Sequence, residues 1–97
     1  MPKKPHYTVL VRCCKADQKI ADANITDMEY HSQLIAQRKM RKLFDFAVWN
    51  VLVRNGQTED IDLFVQTDDY VWLSNAFFKV EMKVVPTASI KEGALQM

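Results

Sequence analysis

Two carboxylates and a lysine stand in this sequence at a spacing able to hold a divalent cation and activate water. Asp62 lies in one alternating apolar segment, and Glu81, Met82 and Lys83 lie in a later one. Carboxylates on neighbouring strands can bind Mg²⁺ with part of its water shell retained, and an adjacent lysine can support the attacking water. Glu29, upstream of both segments, would assist from a helix.

This D…E-x-K pattern, with an expected order of helix, strand, strand, strand, resembles the core of the PD-(D/E)xK nucleases. The resemblance covers residues 29–83 and implies Mg²⁺-dependent cleavage, with Asp62 and Glu81 on the metal and Lys83 beside the water. Two departures make it the remotest of the functional expectations. Ile61 stands where that family often has proline, and the 12 residues after Val85 leave no room for the helix and strand that normally follow. Asp60-Ile61-Asp62 is similar to the paired carboxylates of nucleotidyltransferases but lacks their Gly-Ser loop. With only Gly56 and Gly93 in the chain, no phosphate-cradling loop is available.

Other catalytic sets are equally thin. His6 lies near the start of the chain and His31 reads as a surface helix residue, so neither suits a nucleophile–base pair. Cys13 and Cys14 are adjacent in an alternating segment, which turns their side chains to opposite faces and leaves each without a disulfide partner. Two Cys and two His without metal-ligand spacing make no closed zinc site. We expect no enzyme, no metal and no cofactor.

Two binding chemistries remain. Arg38, Lys39, Arg41 and Lys42 form a basic cluster on a helix, and Lys3, Lys4, Arg12 and Lys15 would extend it toward phosphates, which makes nucleic acid the alternative partner. The leading expectation is a non-catalytic regulatory protein that binds another protein or itself as a homodimer through Val48, Trp49 and Leu52. Aromatic side chains beside arginine are the usual composition of an interface centre. Small size and the missing catalytic sets suit a phage- or mobile-element-type inhibitor of a host complex.

The elements that must position these residues follow from periodicity. Tyr7 to Cys14 alternates as a strand, as do Asp60 to Gln66 and Phe77 to Val84. Tyr70 to Leu73 reads as a short strand or a turn of helix, and Lys15 to Asn24 as a connection. Thr26-Asp27-Met28-Glu29 has capping-box spacing, and no Gly or Pro follows until Asn55-Gly56, so a helix from Asp27 to about Arg54 is expected. Such a helix would be about 42 Å long and would overhang its domain. The alternative ends it near Phe46 and makes Val48 to Arg54 a strand that turns at Asn55-Gly56.

The long helix is favoured because no breaker falls between Leu43 and Arg54. Its core stripe reads Ala36, Met40, Leu43, Ala47 and Val51, and Trp49 and Leu52 come to the side that Arg41 and Asp45 occupy. An apolar surface all round its last two turns asks for burial on both sides, which is what selects Val48, Trp49 and Leu52.

The 97 residues allow one hydrophobic core, carry 48% hydrophobic residues and have a net charge of +1. That small charge hides basic residues before residue 20 and acidic ones between 55 and 85, an asymmetry that could let two copies meet head to tail. No apolar run reaches the roughly 20 residues needed to cross a bilayer, and no signal-peptide core follows Met1, so a cytoplasmic protein without membrane contact is expected. The expected architecture is one α+β domain over 1–97, ordered over about 6–85 and flexible at 1–5 and 86–97. Its three- to four-stranded, mostly antiparallel sheet packs on one long helix in the order β-α-β-β-β.

Overall fold

The structure, a computed structural model, describes residues 6–93, and of Lys91, Glu92 and Gly93 only the backbone. The elements are β1 (Tyr7–Lys15), β2 (Ile25–Tyr30), α1 (Gln33–Phe44), a π-helical segment (Asp45–Trp49), α2 (Asn50–Arg54), β3 (Ile61–Gln66), β4 (Tyr70–Asn75), β5 (Phe78–Pro86) and α3 (Thr87–Gly93). The five strands form one sheet in the order β2-β1-β5-β4-β3, with every neighbouring pair antiparallel. The α+β class is as expected, but the sheet has five strands, and the expected β-α-β-β-β order lacks the second strand and the last helix.

β2 is the strand that the sequence reading missed. Thr26 to Glu29 has the spacing of a capping box, yet Ile25 to Tyr30 pairs with Tyr7 to Arg12. Ile25, Thr26 and Tyr30 favour extended backbone, and Met28 and Tyr30 alternate onto the helix-facing side, where they pack against the core. The helix therefore begins later, at Gln33, with the Ser32 hydroxyl accepting from the Ile35 amide at 3.2 Å.

From there the helix is continuous over residues 33–54, 22 residues in all, so the alternative strand at Val48 to Arg54 does not form. It runs from the β2 edge of the sheet to the β3 edge. At about 33 Å, shorter than the expected 42 Å, it crosses the roughly 19 Å width of five strands on a diagonal. Asn55-Gly56 ends it as expected. Gly56 has φ 66°, its amide donates to the Val53 carbonyl, and the Gln57 amide donates to the Leu52 carbonyl, the two bonds of a Schellman stop.

The core lies between this helix and one sheet face: Ala36, Met40, Phe44, Val48 and Leu52 meet Val9, Val71, Leu73, Val80, Met82 and Val84. The helical contribution recurs every fourth residue, which an unbroken α-helix cannot keep on one side. At about 100° per residue, Leu52 would lie roughly 160° round from Ala36, and the extra residue of the π turn takes back about 100°. For the same reason the stripe moves by one position after Phe44, so Val48 and Leu52 face the sheet where Ala47 and Val51 were expected.

β3 holds a second register change. Ile61 pairs with Asn75 and Leu63 with Ser74, so one extra residue bulges at Asp62. Beyond the bulge Phe64 faces the helix, while Leu63 and Val65, expected on the same face as Ile61, turn to the other side with Trp72. Pro86 closes β5, and α3 continues from it, with Thr87 Oγ1 2.7 Å from Thr8 Oγ1. Ser89 and Ile90 share a groove with Leu10, Arg12, Ile25 and Asp27 on the sheet face opposite the long helix. Of the residues for which flexibility was expected, 1–5 and 86–97, positions 86–93 form the end of β5 and α3, and 1–5 and 94–97 lie outside the described residues. Among the described residues no helix is long and apolar enough to cross a membrane.

Candidate interaction surface

The nuclease constellation is not assembled. Asp62 is on β3 and Glu81 on β5 with β4 between them, about 10 Å apart by strand spacing alone. Glu29, expected on a helix, is on β2 at the other edge. The Glu81 carboxylate instead accepts from the Tyr70 hydroxyl at 3.1 Å, and burial together with that bond and the carboxylate charge holds the Tyr70 phenol above its usual pKa. Among the described residues no three His, Cys, Asp or Glu side chains come together as metal ligands do. His6 and His31 meet edge to face at 5.4 Å beyond the ends of β1 and β2.

The expected interface residues are placed differently from one another. Val48 is 6% exposed and Leu52 is fully buried, so both belong to the core and cannot present a docking face. Their removal from the surface follows from the one-residue shift of the π turn. Trp49 is half-buried, with its indole stacked on the Phe64 ring. What stays outside on this part of the helix is Phe46, Val51 and Val53, so its surface is still apolar, carried by other residues.

Arg38, Lys39, Arg41 and Lys42 are all exposed, and with Ile35 they line a shallow groove on the outer face of α1. Asp45 is the one acidic residue of the whole 33–54 helix. Arg12 does not extend this cluster. Arg12 pairs across from Glu81 on the sheet face away from the helix, and Lys3 and Lys4 lie outside the described residues. A second groove, lined by Leu34, Arg38, Arg41, Thr67 and Asp68, separates α1 from the β3–β4 turn. That turn is tied to the helix by Gln37, whose amide donates to Asp69 at 2.8 Å.

The surface that sequence reasoning missed is the β3 edge. Leu63 is 53% exposed, and Phe64 and Val65 are each 39% exposed. Phe64 lies against Phe44 and Trp49, with ring centroids 5.6 and 5.8 Å away, which fixes its backbone while its outer edge stays open. A readable signal was present: Ile61-Asp62-Leu63-Phe64-Val65-Gln66 is apolar on both faces and carries no Lys, Arg or Pro. The opposite edge, β2, carries Asp27 and Glu29.

Cys13 and Cys14 point to opposite faces, paired across from Val80 and Lys79 respectively. Burial, with Cys14 alongside, pushes the Cys13 thiol pKa up, away from the thiolate that nucleophilic chemistry requires. No family model matches the chain, and comparison with curated proteins and with solved structures finds no similar protein.

Proposed function

We infer that the chain is a non-catalytic interaction module that captures another protein segment at the β3 edge of its sheet and regulates by occupying that segment. The observation that supports this is the unguarded chemistry of β3. An edge strand presents a row of unpaired backbone N–H and C=O groups, and proteins usually blunt it with Lys, Pro, inward charges or a cover. β3 has exposed Leu63, Phe64 and Val65 and a single charge, Asp62. Its bulge bends only the start of the strand. An extended segment adding to such an edge gains backbone hydrogen bonds and alternating side-chain contacts.

The test is site-specific photo-cross-linking in cells, with the reactive group placed at position 63 and, as the control edge, at position 27. Cross-links to protein at 63 and not at 27 are expected. Equal or absent cross-linking at 63 would sink the reading.

A second reading rests on the outer face of α1. Arg38, Lys39, Arg41 and Lys42 present four exposed cations along about one and a half turns, a spacing that can meet successive phosphates. Binding of short duplex DNA or RNA, weakening steeply with salt and abolished by changing Arg38, Arg41 and Lys42 to Glu, is the result this reading requires. Binding that survives the triple change removes it.

A further inference from the structure

We propose that His6 and His31 form a binding site for a late first-row divalent metal ion such as Zn²⁺, the two imidazoles supplying adjacent ligands and water the remaining ones. They are the only two histidines of the chain and lie far apart in its sequence. The register of β1 on β2 ends at Tyr7 and Tyr30, so each histidine stands one residue beyond that last pair. Their rings meet there with centroids 5.4 Å apart and planes at 79°. Imidazole is a ligand of Zn, Cu and Ni, whereas Mg and Ca take oxygen, and this selects the class of ion. With Zn–N bonds of about 2.0–2.1 Å, two imidazoles on one ion, set between a right angle and the tetrahedral angle, have ring centroids about 4.5–5.3 Å apart. The pair is therefore near the separation that a shared ion requires, and side-chain rotation covers the difference.

The backbone on both sides of the pair is held. The His6 carbonyl accepts from the Thr87 amide at 2.9 Å, and His31 is followed directly by Ser32, whose hydroxyl caps α1 by accepting from the Ile35 amide at 3.2 Å. Both histidines are exposed, so an ion reaches them without opening the fold. Two protein ligands are fewer than the three or four of catalytic and structural zinc centres, which makes the ion a clamp and not a reaction centre. It would tie the start of β1 to the junction of β2 with α1 and, through the Thr87–His6 bond, to the first residue of α3. The two ligands come together only when β1 pairs with β2, so the ion binds the folded chain and stabilises it. The site shares no residue with the β3 edge or with the basic face of α1, so it stands or falls independently of both readings above.

The experiment is a calorimetric titration of the full chain with Zn²⁺, in a Cys13→Ser, Cys14→Ser background that keeps the thiols out of the measurement. One ion per chain is expected, at unchanged solution mass by light scattering. Because the chain has no other histidine, its two sets of imidazole NMR signals report the site directly, and both should move along a single binding curve. His6→Ala and His31→Ala should each lower the affinity roughly tenfold or more, and nearly as much as the double substitution, since a second ligand held beside the first acts at high effective concentration. Both positions are exposed, so the circular dichroism spectrum of each variant should match the parent. Zn²⁺ should raise the thermal unfolding midpoint of the parent and of neither single variant. No binding, an affinity unchanged in the double variant, losses that simply add, or one ion shared by two chains with a doubled mass would each overturn the proposal.

Discussion

The Phe64 ring, carried by the edge strand, stacks on the Trp49 indole of the helix with centroids 5.8 Å apart and planes 21° from parallel. The same ring lies nearly flat on Phe44, at 5.6 Å and 8°. The outermost strand is thus fastened to the core by one aromatic residue that bridges two turns of helix, one on each side of the π segment's start. Stacked aromatic pairs contribute about 0.5–1.5 kcal/mol beyond their buried area. Phe64→Leu keeps most of the apolar volume and loses both stacks, so a fall in stability of about 1–2 kcal/mol is expected in urea unfolding. A double-mutant cycle with Trp49→Leu should return a coupling of about 0.5–1.5 kcal/mol; additive effects would show that the stack does not fasten the strand.

The displaced helical stripe makes a sharper contrast. Val48→Ala and Leu52→Ala remove side chains from the packed core, and the leucine truncation should cost about 2–5 kcal/mol, with the valine somewhat less. Val51→Ala and Phe46→Ala act on exposed positions and should stay within about 0.5 kcal/mol in a monomeric reference state. Thermal or urea unfolding of the four variants checks the π turn directly, because an unbroken α-helix predicts a large loss at Val51 and little at Leu52.

That contrast also marks how far the sequence could be read. The strands β1 and β5, the helix through Arg54 and its stop at Asn55-Gly56 follow from periodicity and turn chemistry, because each needs only local information. Two single-residue insertions, the π turn after Phe44 and the bulge at Asp62, leave no local trace. Each changes which side chains face the core over everything downstream, turning Val48 and Leu52 inward and Leu63 and Val65 outward. The first insertion takes Val48 and Leu52 of the expected interface into the core and leaves Trp49 half-buried, and the second turns Leu63 and Val65 away from the helix. β2 was missed for a different reason: Thr26 and Glu29 satisfy a helix-start pattern, and only the nearby edge of β1 decides for a strand.

The helix stop gives a prediction with a clean physical origin. A Cβ built at Gly56 meets nothing within 4 Å, so replacement brings no collision. The cost of Gly56→Ala comes from holding an L-residue at φ 66°, about 1–2 kcal/mol. Gly56→Asn should cost less, since asparagine tolerates the left-handed region. Equal stability of wild type and Gly56→Ala would show that the Schellman stop is not the conformation in solution.

Asn75 closes the β4–β5 turn from inside the core. Its Oδ1 accepts the Phe77 and Phe78 amides at 2.7 and 2.8 Å, while its Nδ2 has no partner among the described residues. Asn75→Ala would strand two turn amides and should cost about 1–3 kcal/mol. Asn75→Ser, with a shorter acceptor, should recover part of this. Loss of amide protection at Phe77 and Phe78 in hydrogen exchange is the local readout that separates the turn from general destabilisation.

Tyr70 and Glu81 give the alkaline limb of stability. Burial is the first cause that holds the Tyr70 phenol above its usual value near 10, and the Glu81 hydrogen bond and charge add to it. The folded chain thus keeps the phenolic proton to higher pH than the unfolded chain. Below pH 10 both states are protonated and the contribution is fully present. Above it the unfolded state binds fewer protons, and stability falls as pH rises toward the folded value. Glu81→Gln removes the charge while leaving an oxygen acceptor, so Tyr70 should ionise at lower pH and the decline should begin earlier. Phenolate absorbance, with Tyr70→Phe assigning the component, measures this shift. An identical titration in Glu81→Gln would mean that the 3.1 Å bond does not persist in solution.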